Sequence, residues 1–136
     1  MIFLQNTLKM YQLEKILDAI KQASEAVLSI YKQDFQIFRK QDLSPLTQAD
    51  SLSHQILVEF LSEHTPNIPI ISEEEEIADW EERKNWEYFW LIDPLDGTNS
   101  FVRGGQDYTV NVGLVEDGEP RLGLVLHPPS GSLWTG

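Results

Sequence analysis

The 136-residue chain contains no cysteine. Disulfides, thiolate metal sites and a cysteine nucleophile are therefore excluded, although the compartment stays open. Basic residues are scarce: 10 Lys and Arg stand against 22 Asp and Glu, a formal net charge of −12. No nucleic acid polymer is expected as a partner, because gripping its phosphates needs a basic face. The three histidines, His54, His64 and His127, lack the close spacing of a zinc site. No stretch reaches the roughly 20 apolar residues of a membrane helix, so no membrane span is expected. The apolar start Met1-Ile2-Phe3-Leu4 is very short and has no basic segment before it, unlike a secretory signal. A cytoplasmic location is the default expectation. A G-x-S-x-G elbow, a Walker loop and internal repeats are also missing.

What is present suits a globular protein. The composition is 41% hydrophobic and 24% charged, and the length suggests one domain with a real core. From about Leu8 to Tyr31, apolar residues recur at helical spacing (Leu13, Ile16, Leu17, Ile20, Ala23, Val27, Ile30, Tyr31) with no Pro or Gly between them. This predicts an amphipathic packing helix. Phe35 to Phe38 reads as a short strand. Ser44-Pro45 is extended or turn-like. Thr47 followed by Asp50 resembles a capping box with Asp in place of Glu or Gln. It would open a second helix with Ala49, Leu52, Ile56, Leu57, Phe60 and Leu61 on one face, ending near His64-Thr65-Pro66.

Ile68 to Ile71 reads as a short apolar strand running into Ser72-Glu73-Glu74-Glu75-Glu76. An acidic run of this kind is ordinarily a solvated loop. Residues 77–87, with Trp80 and Trp86, suggest a loop or short helix. The alternation of Thr109 to Val115, the turn at 116–120 and the return from Leu122 to Leu126 predict a hairpin. Leu133 to Gly136 would begin a third strand. Two helices followed by a meander imply helices layered on a largely antiparallel sheet, an α/β (α+β) fold.

The stretch from Tyr88 to Phe101 carries the chemistry. Tyr88 to Ile92 reads as a buried strand that stops at Asp93. Asp93-Pro94 and Asp96-Gly97 mark a tight turn. Gly97 allows close backbone approach, and Thr98 can open a short helix whose first N–H groups suit an anion. Two carboxylates before a nest of amides would suit a hard cation holding a phosphate. The same dipeptides are also common in plain surface turns.

Asp93-Pro94-Leu95-Asp96-Gly97-Thr98 resembles the D-P-[IL]-D-G-T signature of the inositol monophosphatase superfamily, metal-dependent and lithium-sensitive phosphatases. Lys40-x-Asp42-x-Ser44-Pro45-Leu46-Thr47-x-Ala49-Asp50 resembles the K-x-D-x-S-P-V-T-x-A-D segment of its bisphosphate nucleotidase branch. Ser72-Glu73-Glu74 resembles its [GS]-E-E element. The resemblance runs from about Leu13 to Gly136. It covers the N-terminal part of the superfamily's layered αβαβα unit. A later W-D-x-A-type segment, whose Asp holds the second metal, is not matched, since Trp134 is followed by Thr135 and Gly136. Residues 1–136 are thus expected to be the N-terminal portion of such a domain, with the C-terminal portion absent, so the motifs predict the chemistry of the parent enzyme, with weak metal binding and no turnover as the alternative for this piece alone. The competing expectation is a natural short binding or assembly module.

The resemblance implies Mg²⁺, two or more ions, with inhibition by lithium. It places Glu73, Asp93 and the Leu95 carbonyl on one metal, and Asp93 and Asp96 on a second. Gly97, Thr98 and Asp96 would hold the substrate, and Asp50, Glu73 and Thr98 would orient and deprotonate the attacking water. Glu74 is a weaker candidate, standing behind Glu73. Glu75, Glu76, Asp79, Glu81 and Glu82 are expected to face water. Lys40 and Asp42 match the pattern without an assigned role. Bound cations would also reconcile an acidic chain with an anionic ester. The implied substrate is a small phosphate ester, most simply 3'-phosphoadenosine 5'-phosphate cleaved to AMP and phosphate. Thr98-Asn99-Ser100-Phe101 is neither the T-K-E-F nor the T-T-N-F variant of the superfamily, so an inositol-1-phosphate or sugar-phosphate phosphatase is the alternative. A non-catalytic metal-binding or interaction module is the alternative of another class. A homo-oligomer is compatible with the sequence.

Overall fold

The computed structural model describes the backbone of residues 2–42 and 45–136 and, within the first helix, side chains from Gln12 onward. Met1, Leu43 and Ser44 lie outside the described residues, and with them the first half of the Ser44-Pro45 step.

Helix α1 (Ile2–Tyr31) starts six residues before its expected position and runs unbroken, as the lack of Pro and Gly allows. It buries Ile16, Ala19, Ile20, Ala23 and Val27 along one stripe. Strand β1 (Ile37–Arg39) is displaced two residues from the expected Phe35–Phe38. It pairs antiparallel with β2 (Pro45–Thr47). Of the extended or turn-like alternatives for this segment, Pro45 takes the extended one.

Thr47 then caps α2 (Gln48–His64). Its hydroxyl accepts the Ala49 N–H at 3.1 Å, and the Asp50 carboxylate accepts the Thr47 N–H at 2.8 Å. This is the reciprocal box expected from the sequence, with Asp doing the work of Glu. At the other end, the Thr65 N–H closes the helix on the Leu61 carbonyl.

The main sheet has the order β3-β4-β5-β6-β7. Strand β3 (Ile70–Ser72) is parallel to β4 (Tyr88–Asp96), and α3 (Trp80–Arg83) lies in the connection between them. The remaining pairs, β4 with β5 (Thr109–Glu116), β5 with β6 (Glu119–His127) and β6 with β7 (Ser132–Thr135), are antiparallel. The largely antiparallel expectation therefore holds, with a parallel edge. The β5–β6 hairpin turns at Asp117 and Gly118, whose φ values of 50° and 78° suit a tight two-residue connection.

Alternation along the strands sorts the two faces. Trp90, Ile92, Val110, Val112, Leu124 and Leu126 point into the core beneath α1 and α2. Leu91, Val125 and Trp134 point outward and are 50%, 36% and 58% exposed. The Trp90 indole N–H donates to the Thr65 hydroxyl at 2.9 Å, so the buried ring leaves no orphan donor.

Strand β4 does not stop at Asp93, as the sequence suggests. Asp93 still pairs with Asn111, and Asp96 pairs with Thr109. Three steps on β4 match two on β5, so one residue is extra. Pro94 has no N–H for the ladder, which is why the irregularity falls here. The Ser53 hydroxyl on α2 donates to the Pro94 carbonyl at 2.7 Å and fastens the bulge to the helix layer.

Candidate active site

The bulge re-aims the carboxylates at the end of β4. Asp93 and Asp96 are three residues apart and would point to opposite faces of a regular strand. With the extra residue, the charge of Asp96 acts on Asp93, which also meets Glu73, the residue directly after β3. The Glu73 N–H donates to the Ile92 carbonyl at 3.3 Å, so the parallel pairing of β3 delivers Glu73 beside Asp93. Burial pushes the Asp93 carboxyl up to about 8 from 3.8, helped by a hydrogen bond to Glu73 and by the charges of Glu73 and Asp96. Its Oδ1 is buried without a partner, as is the Oδ1 of the facing Asn111. The Asn111 amide donates to Asp96 Oδ2 at 3.5 Å.

Gly97 follows with φ 89°, and a Cβ there would lie 2.2 Å from the Asp107 carbonyl oxygen. Only glycine fits. The chain then enters α4 (Thr98–Val102), the short helix expected from the sequence. Five residues make little macrodipole, so any anion here is held by individual amides and side chains. Phe101 anchors this helix in an aromatic cluster, with ring centroids 5.4 Å from Tyr31, 5.1 Å from Phe35 and 5.2 Å from Tyr108.

Thr98 meets Asp50 across the layer boundary. Its hydroxyl donates to Asp50 Oδ1 at 2.8 Å, with the Leu95 carbonyl as a second acceptor at 3.2 Å. Asp50 is fully buried, and its other oxygen holds the Thr47 N–H and hydroxyl. One capping carboxylate thus serves both the start of α2 and the hydroxyl of α4. With its only hydrogen committed to Asp50, the Thr98 oxygen keeps lone pairs that can accept a hydrogen bond.

Asp50, Glu73, Asp93, Leu95, Asp96, Gly97 and Thr98 therefore fall in one region, at the junction of β3, β4, α2 and α4. Two further groups border it. Lys40 Nζ pairs with Glu74 Oε1 at 2.8 Å. Burial pulls the Lys40 amine down, but Glu74, with help from Glu73 and Asp50, outweighs this and leaves it raised. Burial pushes Glu74 up, and Lys40 offsets only part of that. Residues 75, 76, 79, 81 and 82 are exposed as expected, but Glu75 is not idle: it accepts from His54 Nε2 at 2.9 Å. Neither the lysine pair nor the histidine link is visible in local sequence, because each joins residues about 20 or more apart. The K-x-D spacing around Lys40 was the only available hint.

The tightest acidic trio among the described residues lies elsewhere. Glu87, Glu116 and Asp117 bring carboxylate oxygens within 4.8 Å at the opposite end of β4. Glu73, Asp93 and Asp96 do not close to that span. The distal trio is already compensated, since Glu116 holds the Tyr88 hydroxyl and Arg121 Nε at 2.9 Å. It also has no orphaned buried oxygen.

Comparison with known proteins bears on the family and the fold. A 3'(2'),5'-bisphosphate nucleotidase CysQ of Salmonella typhimurium is 42% identical over 118 residues, covering 85% of this chain and 48% of that protein. The crystal structure of CysQ from Bacteroides thetaiotaomicron superposes with a TM-score of 0.78 at 36% identity, covering 93% of this chain and 45% of that one. An IMPase/NADP phosphatase complexed with Mg²⁺ and phosphate shares the fold at 24% identity, with a TM-score of 0.81 and coverage of 96% and 48%. The chain spans about half the length of the curated relatives it matches. Residues 10–136 match the family described as inositol monophosphatase, and the chain belongs to that family.

Proposed function

We propose that this chain supplies the metal-, phosphate- and water-positioning residues of a Mg²⁺-dependent phosphomonoesterase of the 3'(2'),5'-bisphosphate nucleotidase type. Its substrate is 3'-phosphoadenosine 5'-phosphate, and its products are AMP and phosphate. The observation that carries the reading is the Asp93 carboxyl. It is half-buried, crowded by Glu73 and Asp96, and has an oxygen with no partner. Oxygen-only donors of this kind select a hard divalent cation, and such an ion relieves the crowding that the protein leaves uncompensated. The residues fit the group.

Glu73, Asp93, the Leu95 carbonyl and Asp96 would hold the ions. When bound, Mg²⁺ neutralises phosphate charge and acidifies water. The chain's own side chains do the rest. Thr98 orients the attacking water through its free lone pairs, and Asp50 receives the hydroxyl proton of Thr98 along the 2.8 Å hydrogen bond as Thr98 takes one from the water. Amides around Gly97 can approach a phosphate closely because no Cβ intervenes. Substrate choice rests on the nucleotidase relatives, whose identity to this chain exceeds that of the inositol phosphatase fold relative described above.

The test is phosphate release from 3'-phosphoadenosine 5'-phosphate and from inositol 1-phosphate, each with Mg²⁺ and with chelator. Faster Mg²⁺-dependent release from the nucleotide, lost in Asp93→Asn, is expected. Preference for the inositol ester would overturn the substrate, and release unaffected by chelator would overturn the metal.

A further inference from the structure

The geometry points to His54 as a positioning residue for Glu73, an inference that rests on the metal-site reading above. His54 lies one helical turn after Asp50 on α2, so the same face of one helix reaches both the water-orienting pair and the acidic loop. Its side chain is 17% exposed and sits between two hydrogen-bond partners. Nδ1 lies 2.8 Å from the hydroxyl of Ser72, a residue only 2% exposed, and Nε2 lies 2.9 Å from Glu75 Oε1.

The donors and acceptors resolve in one way for the neutral ring. The Glu75 carboxylate only accepts, so Nε2 carries the hydrogen. Nδ1 then accepts, and the Ser72 hydroxyl donates to it. The Ser72 oxygen keeps a lone pair for the Glu74 N–H, which reaches it at 3.2 Å. The Glu75 N–H closes the turn on the Ser72 carbonyl at 3.2 Å. Every neighbour of Glu73 is thereby gripped: Ser72 and Glu75 by His54, and Glu74 by Lys40. Glu73 is exposed, and it is the arm of this turn that reaches Asp93. Holding both flanks sets where its carboxylate projects without occupying it. Residues that orient a metal ligand commonly change metal affinity by 10–100-fold when removed.

Ser72 adjoins Glu73 and is buried, whereas Glu75 is at the surface. The Nδ1 arm therefore carries the positioning. Asparagine reproduces the reach of Nδ1 and glutamine that of Nε2, which separates the two arms. Mg²⁺ affinity is measured by titration calorimetry for the unaltered chain, His54→Ala, His54→Asn, His54→Gln and Ser72→Ala. Amide hydrogen exchange is recorded without metal. His54→Ala, His54→Gln and Ser72→Ala should weaken Mg²⁺ by about tenfold and accelerate exchange at residues 73–75 only. His54→Asn should stay within about twofold of the unaltered chain. Unchanged affinity and exchange in His54→Ala would overturn the inference. So would faster exchange throughout α2 and the sheet, or an equal loss in His54→Asn. If the unaltered chain binds no Mg²⁺, the metal reading fails, and the exchange pattern alone decides whether His54 fixes the turn.

Discussion

At Asp93 the cost of ionisation is set by burial first and by Glu73 and Asp96 second. The raised carboxyl has a defined sign in a pH profile. Its folded value, about 8, exceeds the ordinary 3.8, so the folded chain holds the proton more tightly. The associated stability is complete below about pH 4 and is lost as pH rises through about 8. Thermal melting in chelator should therefore fall in that window, and less steeply in Asp93→Asn, whose side chain never ionises. Millimolar Mg²⁺ should reverse the trend in the unaltered chain, because the ionised carboxylate then has a counter-charge. A flat profile in chelator, or melting insensitive to Mg²⁺, would contradict this account.

The element that carries most of the site is the β4 bulge with its glycine exit. Gly97→Ala forces a side chain into a left-handed φ of 89° and against the Asp107 carbonyl. The dihedral alone costs about 1–2 kcal/mol, and the backbone collision adds to it. Circular dichroism melting should show the loss, together with the disappearance of Mg²⁺-induced stabilisation. An alanine chain with unchanged melting and metal response would show that the turn relaxes freely. Much of this element could be read from sequence, because its signals are local: Pro94 interrupts, Gly97 permits, Thr98 starts a helix. The Thr47–Asp50 box was legible for the same reason. What escaped was non-local. The passage of β4 beyond Pro94 depends on pairing with Asn111 and Thr109, and the short strand read near Phe35–Phe38 gives no local sign of its pairing with β2. His54 looks like any polar helix residue until β3 is packed beside it.

Across the whole molecule, helices cover one face of the main sheet and leave the other in solvent. Leu91, Val125 and the nearby Ile77 border an apolar groove of about 530 Å³ that also reaches Glu73 and Asp93. Among the described residues, no helix is long and apolar enough to cross a membrane. The groove should bind a fluorescent apolar dye such as anilinonaphthalene sulfonate, and Leu91→Lys with Val125→Lys should suppress that signal. The substitutions add charge at half-exposed positions, so melting should move by no more than about 0.5 kcal/mol in stability. Dye binding that survives both lysines would place the apolar surface elsewhere. That bare greasy plane also governs how the protein behaves in a tube. An apolar face of this kind favours association as the solution thickens, so an ion affinity that holds constant across a dilution series is the one that belongs to single chains.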